Sequence, residues 1–292
     1  MTTLFQTGTA TKTELYGVMK NLLLQAGWIN VSSNPATDYD VFKSTGETGD
    51  KELVFQTRPY YGTSTAGVNN IESTDFHYGG IRLIGGYTPS GTSGTSGTFD
   101  RTLTNEGWKN LPFACTVTTQ SFDKNTPVTY RYSVNKNRLI FVTEYPPALN
   151  TPPCMFYIGI PDETYCSEPK SRGLLYLTSC QGVVTSSVYI TDNAGEVASQ
   201  LSSKSMGTLC QLAPKNPNSA GNFTLSEIFY GDSSEGVRGK LTGIFALPTQ
   251  NIANGDIIVQ GGQEYLVVVN GTSGNDMFPS KAIALPLAPP NA

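Results

Sequence analysis

The chain has 292 residues, with 19 Lys+Arg against 23 Asp+Glu for a formal net charge of -4; this is length enough for one large core or two smaller ones, since domains run about 100 to 200 residues. No basic run is available to neutralise a row of phosphates, which excludes nucleic acid as an expected partner, and no apolar stretch approaches the roughly 18 residues of a helical membrane span. Charged residues are only 14% of the chain, while 30 Gly, 18 Pro and 15 Tyr sit in a Ser/Thr/Asn-rich background, the composition of a turn-dense β protein. The start, MTTLFQTGTATKTELYG, lacks the basic and apolar regions of a secretion signal, so a soluble, not obviously secreted chain is expected.

One segment predicts a helix. Leu15, Val18, Met19, Leu22, Leu23 and Ala26 recur along one face of residues 12–26, with the period of an amphipathic helix. Thr11 with Glu14 fits a capping box, Ala10 with Leu15 a hydrophobic staple, and Gly27 the left-handed position past the C-terminus. Trp28 and Ile29 continue the apolar surface until Ser32, Ser33, Asn34 and Pro35 break it.

Strands follow. YDVFK at 39–43 and KELVFQT at 51–57 flank STGETGD, whose two glycines supply the positive φ of a tight reversal. IRLIGGY comes next, before SGTSGTSGT at 90–98, a run that buries no apolar area and predicts an exposed, mobile loop. VTYRYSV at 128–134 and RLIFVTEY at 138–145 predict a hairpin through Asn135, Lys136 and Asn137, with one face in the core and one in water. Pro146, Pro147, Pro152 and Pro153 bracket a connection that cannot be a central strand. MFYIGI, LLYLTS, VVTSSVYI, TLSEIFY and KLTGIFAL resume strand character, and DIIVQ and EYLVVVN form a last hairpin across Gly261 and Gly262. The fold class expected is mainly β, antiparallel sheets in a sandwich or barrel-like arrangement, with one N-terminal α-helix. It divides as 1–145, helix plus hairpin region, and 146–292, a β-rich C-terminal region, or as one continuous β domain with a surface excursion at 191–222.

Little in the residues suggests catalysis. The single histidine, His77, follows Asp75 in DFHYGG with Ser73 and Thr74 near; on a strand the Asp and His lie about 7 Å apart, too far for a relay and easily a solvated pair. Asp38/Asp40, Asp162/Glu163 and Asp232/Glu235 are the raw material of glycoside hydrolysis, yet most sit in turn-like sequence and read as solvated acids. No twelve-residue acidic loop suits Ca²⁺. Cys115, Cys154, Cys166, Cys180 and Cys210 lack C-x-x-C spacing, so the default is reduced, mostly buried thiols, with a Cys166–Cys180 or intersubunit disulfide as the alternative. GGIRLIGG is followed by no helix and gives no phosphate loop. The tyrosines could form a sugar-stacking platform, though alternating strand Tyr more often fill a sheet. Asn30, Asn222 and Asn270 head glycosylation sequons that matter only in a eukaryotic secretory pathway. No catalytic, cofactor-binding or metal-binding residue is assigned.

The order of LLLQAGW, STGETGDKELVFQT, YRYSVNKNRLIFV, FYIGIPDETY and VRGKLTGIFALP with NIANGDIIVQGGQEYLVV resembles a group of tailed-bacteriophage virion structural proteins. The matching positions are Tyr130, Tyr132, Val134, Asn135 and Arg138; Tyr157, Gly159 and Pro161; and Gly239, Leu241, Gly243, Ile244 and Phe245. The chain departs from that pattern in Tyr130-Arg131, where a Tyr-Trp pair is familiar, in the interrupted Lys136-Asn137-Arg138, and in the excursion at 191–222. The resemblance implies a non-enzymatic viral structural component, a homo-oligomer in the tail, neck or baseplate, located in a virion assembled in the host cytoplasm. Its partners would be copies of itself and other virion proteins. A few charges among polar Ser/Thr/Asn/Tyr loops suits interfaces that bury no unpaired ions. Segments 90–98, 146–153 and 191–222 are the expected inter-subunit contacts, and exposed hairpin edges could extend a sheet into a neighbour. The alternatives are a host-surface glycan-binding protein, a capsid decoration protein and, least expected, a cell-wall or capsule glycoside hydrolase.

Overall fold

The computed structural model describes residues 4–32, 39–59, 78–84, 87–90, 96–98, 109–113, 125–146, 153–160, 163–164, 175–179, 188–191, 197–201, 209–210, 224–232, 236–248, 250–269 and 282–287. In chain order, β1 (Leu4–Thr11) leads through a 3-10 turn (Lys12–Glu14) into α1 (Leu15–Gln25). There follow β2 (Ile29–Asn30), β3 (Asp40–Ser44), β4 (Leu53–Arg58), β5 (Tyr78–Leu83), β6 (Thr88–Ser90), β7 (Ser96–Thr98) and β8 (Lys109–Pro112). The middle of the chain forms β9 (Pro127–Asn135), β10 (Arg138–Glu144), β11 (Cys154–Gly159), β12 (Glu163–Thr164), β13 (Leu175–Ser179), β14 (Val188–Thr191), β15 (Val197–Leu201) and β16 (Leu209–Cys210). The last strands are β17 (Ser226–Asp232), β18 (Gly236–Ala246), β19 (Ile257–Gln260), β20 (Gln263–Val269) and β21 (Ala282–Pro286).

The protein is mainly β with one helix near its N-terminus, as the composition and periodicity predict. Among the described residues, a seven-stranded sheet runs β1-β9-β10-β11-β13-β14-β15, and a five-stranded one β2-β3-β4-β5-β8. A C-terminal sheet runs β16-β17-β18-β21-β20-β19, with β12 also pairing β18, and β6 pairs β7 alone. All these pairings are antiparallel, so each can be made by hairpins or returning loops. The seven-stranded sheet takes strands from both sides of residue 145.

Alternation along two strands shows how the sheets stack. Leu139 and Phe141 of β10, with Phe156 and Ile158 of β11, pack with α1 and with Phe42, Phe55, Ile81 and Leu111 of the five-stranded sheet. Their neighbours Ile140, Val142, Met155 and Tyr157 instead pack with Leu241, Ile244, Leu266 and Ile283 of the C-terminal sheet. Successive side chains of a strand point to opposite faces, so the seven-stranded sheet is the middle layer of three. This corrects the expectation that the hairpin at 128–145 has one wet face. In β10, Leu139 to Thr143 are all buried, because the apolar run LIFV serves two cores, and a strand covered on both faces loses the polar alternation.

The helix is bounded as its caps predict. Glu14 Oε2 accepts the Thr11 backbone N–H and hydroxyl, each at 2.8 Å, and Ala10 packs on the core cluster that contains Leu15. At the other end Trp28 N donates to Leu23 O and Gly27 N to Leu24 O, both at 3.0 Å, with Gly27 at φ 90°; these are the two bonds of a Schellman ending. Leu15, Met19 and Leu23 have no exposed surface, so the helix packs on its own subunit.

The Gly/Ser/Thr run at 90–98 differs from its expectation at both ends. Ser90 pairs with Ser96 and Thr88 with Thr98, and the Tyr87 ring sits where a side chain on Gly97 would stand, so a buried Tyr anchors this short hairpin. Within 191–222, β15 pairs β14 and β16 pairs β17. The sequence pattern does not predict β1, yet its LFQTGTAT pairs along its full length with β9.

Candidate functional site

Segments far apart in the chain converge on the turn between β9 and β10. Asn135 pairs with Arg138, leaving a two-residue tip of Lys136 and Asn137. Among the described residues Asn251 is the one non-glycine with positive φ, so this tip does not have the positive-φ geometry that best suits strand twist. It is held by other means. Asn135 Oδ1 accepts from the N–H of Asn137 at 2.8 Å and of Arg138 at 3.0 Å, an Asx turn.

Each carbonyl of the tip has a partner from elsewhere. Trp28 Nε1 donates to Asn135 O at 2.8 Å, Ser44 Oγ to Lys136 O at 2.6 Å, and Ile160 N to Asn137 O at 3.0 Å. Glu47 N donates to Asn137 Oδ1 at 2.8 Å. Gly27 and Gly159 lie directly under the side chains of Lys136 and Arg138. Gly243, at φ 78°, breaks the pairing of β17 with β18 and brings its backbone against Ile140. The Gly-Trp corner, the Gly-rich reversal, the Asn turn, the Tyr-x-Gly strand and the late glycine motif thus meet at or beside one junction of three layers. Buried backbone carbonyls need such partners, and losing one costs about 1–3 kcal/mol.

A buried ionic cluster lies on the helix side. Asp40 has no exposed surface and accepts from Tyr16 Oη at 2.7 Å, Asn30 Nδ2 at 2.9 Å and Lys20 Nζ at 2.9 Å. Three donors from α1 and β2 offset the desolvation of one carboxylate. By sequence Asp40 stands with Asp38 as one of two acids for a possible cleft; the structure uses Asp40 to tie α1 to β3. Asn30 spends on Asp40 the amide nitrogen that a sequon would offer to a glycan.

The other sequence candidates are dispersed. His77, Asp75, Ser73, Thr74, Asp38, Asp162 and Glu235 lie outside the described residues. Glu163 stands opposite Lys240 in the β12–β18 pairing, and Asp232 ends β17 opposite Gly236. Tyr130 and Tyr132 stack on each other at 6.1 Å, and Tyr130 on Phe141 at 5.6 Å; both tyrosines pack on the helix-side core, as sheet fillers do. Cys154, buried at the start of β11, is disulfide-bonded, which corrects the expectation of five reduced thiols. Cys166 and Cys180, the pair suggested from sequence, lie outside the described residues.

A feature that sequence alone does not single out is the exposure of the hairpin of β19 and β20. Residues 253–257 and 259–262 are exposed and only Ile258 is partly covered, so β19 is carried on β20 with almost no packing of its own. Its signal is DIIVQ, an apolar edge with neither Lys nor Pro to blunt it. Two further contacts fix the arm's base: Asn254 Nδ2 donates to Glu144 Oε1 at 2.9 Å, and Glu144 Oε2 accepts from Arg131 Nε at 2.9 Å.

No known family model matches this chain, and no curated protein is significantly similar to it.

Proposed function

We propose that this chain is a non-enzymatic structural component of a tailed-phage virion, assembling with copies of itself in the tail, neck or baseplate. The observation that supports this reading is the convergence of the shared segments on one junction. The motifs that resemble virion proteins meet where Trp28, Ser44, Glu47 and Ile160 hold the tip of the β9–β10 hairpin. They act together as fold determinants, so their order in the chain carries more weight than any one short motif. The stacked tyrosines are half-buried in the subunit, which favours assembly over a glycan platform.

The test is location. Mass spectrometry of purified particles, with antibody labelling under the electron microscope, is expected to find the chain in multiple copies at the tail, neck or baseplate. Absence from particles overturns the reading, and labelling spread over the head turns it into the decoration alternative. Binding of the isolated chain to host polysaccharide, with no copies in the particle shell, favours the glycan reading instead.

A further inference from the structure

Among the described residues the exposed large hydrophobic side chains are Leu24 (46%), Ile29 (62%), Ile257 (49%) and Val259 (63%). Ile257 and Val259 lie on β19, the last strand of the C-terminal sheet, Ile29 on β2, the last strand of the five-stranded sheet, and Leu24 on α1. Register sets Ile29 beside Lys43, on the face of Val41 and away from the Phe42 face on which α1 packs. Register places Ile257 opposite Leu266 and Val259 opposite Glu264, so these side chains share the face of Leu266, which is buried against the middle sheet. They therefore continue the core-facing side of their sheet beyond the point where the subunit covers it. An edge strand that is apolar, unblunted and uncovered is a template for another strand.

We propose that the strand taking this edge is the β2 edge of a second copy of the chain, with Ile257 and Val259 of one copy covered by Ile29 of the next. Charge selects this arrangement over self-pairing of β19. Asp256 and Glu264 flank the apolar pair, are exposed, and make no ion pair among the described residues. Two β19 strands side by side would bring four such carboxylates together. At the β2 edge the exposed Lys136, its stem lying over Gly27, also makes no ion pair among the described residues. Lys43, opposite Ile29 in register, is bridged to Glu52 at 3.1 Å, which leaves Lys136 as the available cation. Joining one patch to a different patch is a heterologous contact, and its repetition yields a ring or a filament. The inference rests on the self-assembly part of the proposed function and does not need the particle.

The test uses the full chain, prepared as a mixture of ¹⁴N- and ¹⁵N-labelled protein, assembled at high concentration and treated with a carbodiimide that joins amines to carboxylates in direct contact. The expected product is a mixed-isotope link from Lys136 to Asp256 or Glu264. Val259→Lys and Ile29→Lys should each weaken association roughly tenfold or more by sedimentation, with an unchanged circular dichroism spectrum. Lys136→Glu and Glu264→Lys should each weaken it, and the two together should restore it, an outcome that misfolding does not produce. A chain that stays monomeric, or an oligomer without the mixed link, overturns the inference. Chains that link in this way yet are absent from particles leave it standing and sink the virion reading; chains present in particles without the link do the reverse.

Discussion

Tyr130 lays its ring across Gly8, its register partner on the edge strand β1, so closely that no methyl group fits at position 8. The same ring stacks on Phe141 at 5.6 Å with an interplanar angle of 10°. A cross-strand aromatic placed over a glycine compensates for the missing side chain and pins the register of an edge strand.

Gly8→Ala is therefore expected to push Tyr130 off Phe141 and cost about 1–3 kcal/mol, the range for overpacking a filled site. Urea denaturation monitored by tyrosine fluorescence measures it. An unchanged midpoint would mean that β1 shifts freely on β9.

The Lys20–Asp40 pair predicts an asymmetry between its two partners. Asp40 is wholly buried, while the Lys20 side chain keeps 23% of its surface in solvent. Lys20→Met strands a buried carboxylate and should cost roughly 3–5 kcal/mol. Asp40→Asn keeps an acceptor for Tyr16 and lets Lys20 turn to water, so roughly 1–2 kcal/mol is expected. Equal losses in the two variants would contradict this account.

Alkaline pH should weaken the fold in a defined window. Burial pushes the Tyr145 phenol above its ordinary 10.0, and burial beside the Tyr39 phenol pushes Tyr87 up to about 12. Groups raised in the folded state contribute stability that is complete below 10.0, the ordinary value, and is lost as the pH climbs towards the folded value. Tyr145→Phe should flatten the fall in stability above pH 10, read from denaturation midpoints alongside tyrosinate absorbance. A slope identical to that of the parent chain would remove Tyr145 from the explanation.

At the acid end, the Thr11 backbone and side-chain hydrogen bonds hold Glu14 below its ordinary 4.5. Its contribution is present above that value and lost as the pH falls through the depressed one. Fraying of the first helical turn should begin in that window, seen as faster exchange of the Thr11 amide. In Glu14→Ala, which leaves no side-chain acceptor for the Thr11 N–H, that protection should be absent at every pH.

The Cys154 disulfide should survive purification without reductant, and peptide mapping will show which other cysteine it joins. Cys154→Ser is expected to lower stability by about 2–4 kcal/mol. A free Cys154 thiol under non-reducing conditions would refute the bridge.

Local patterns are legible in the sequence. The helix from Thr11 to Gly27 rests on contacts three to five residues apart, and the Gly261–Gly262 turn, with φ of 61° and 82°, follows from what only glycine adopts readily. The β character of the rest follows from composition and alternation. The stack of sheets is not legible, because LIFV and MFYIGI read alike whether one face or both are buried. Nor is the role of Asn135, whose turn is completed by Trp28 from 107 positions away. By sequence Asp40 resembles one of a pair of solvated acids, and β19 any hairpin strand. Their fates depend on which sheet covers which face, a matter of long-range register. Short-range patterns determine what each segment forms, whereas burial, and with it the buried carboxylate and the uncovered edge, is decided only when the layers are stacked.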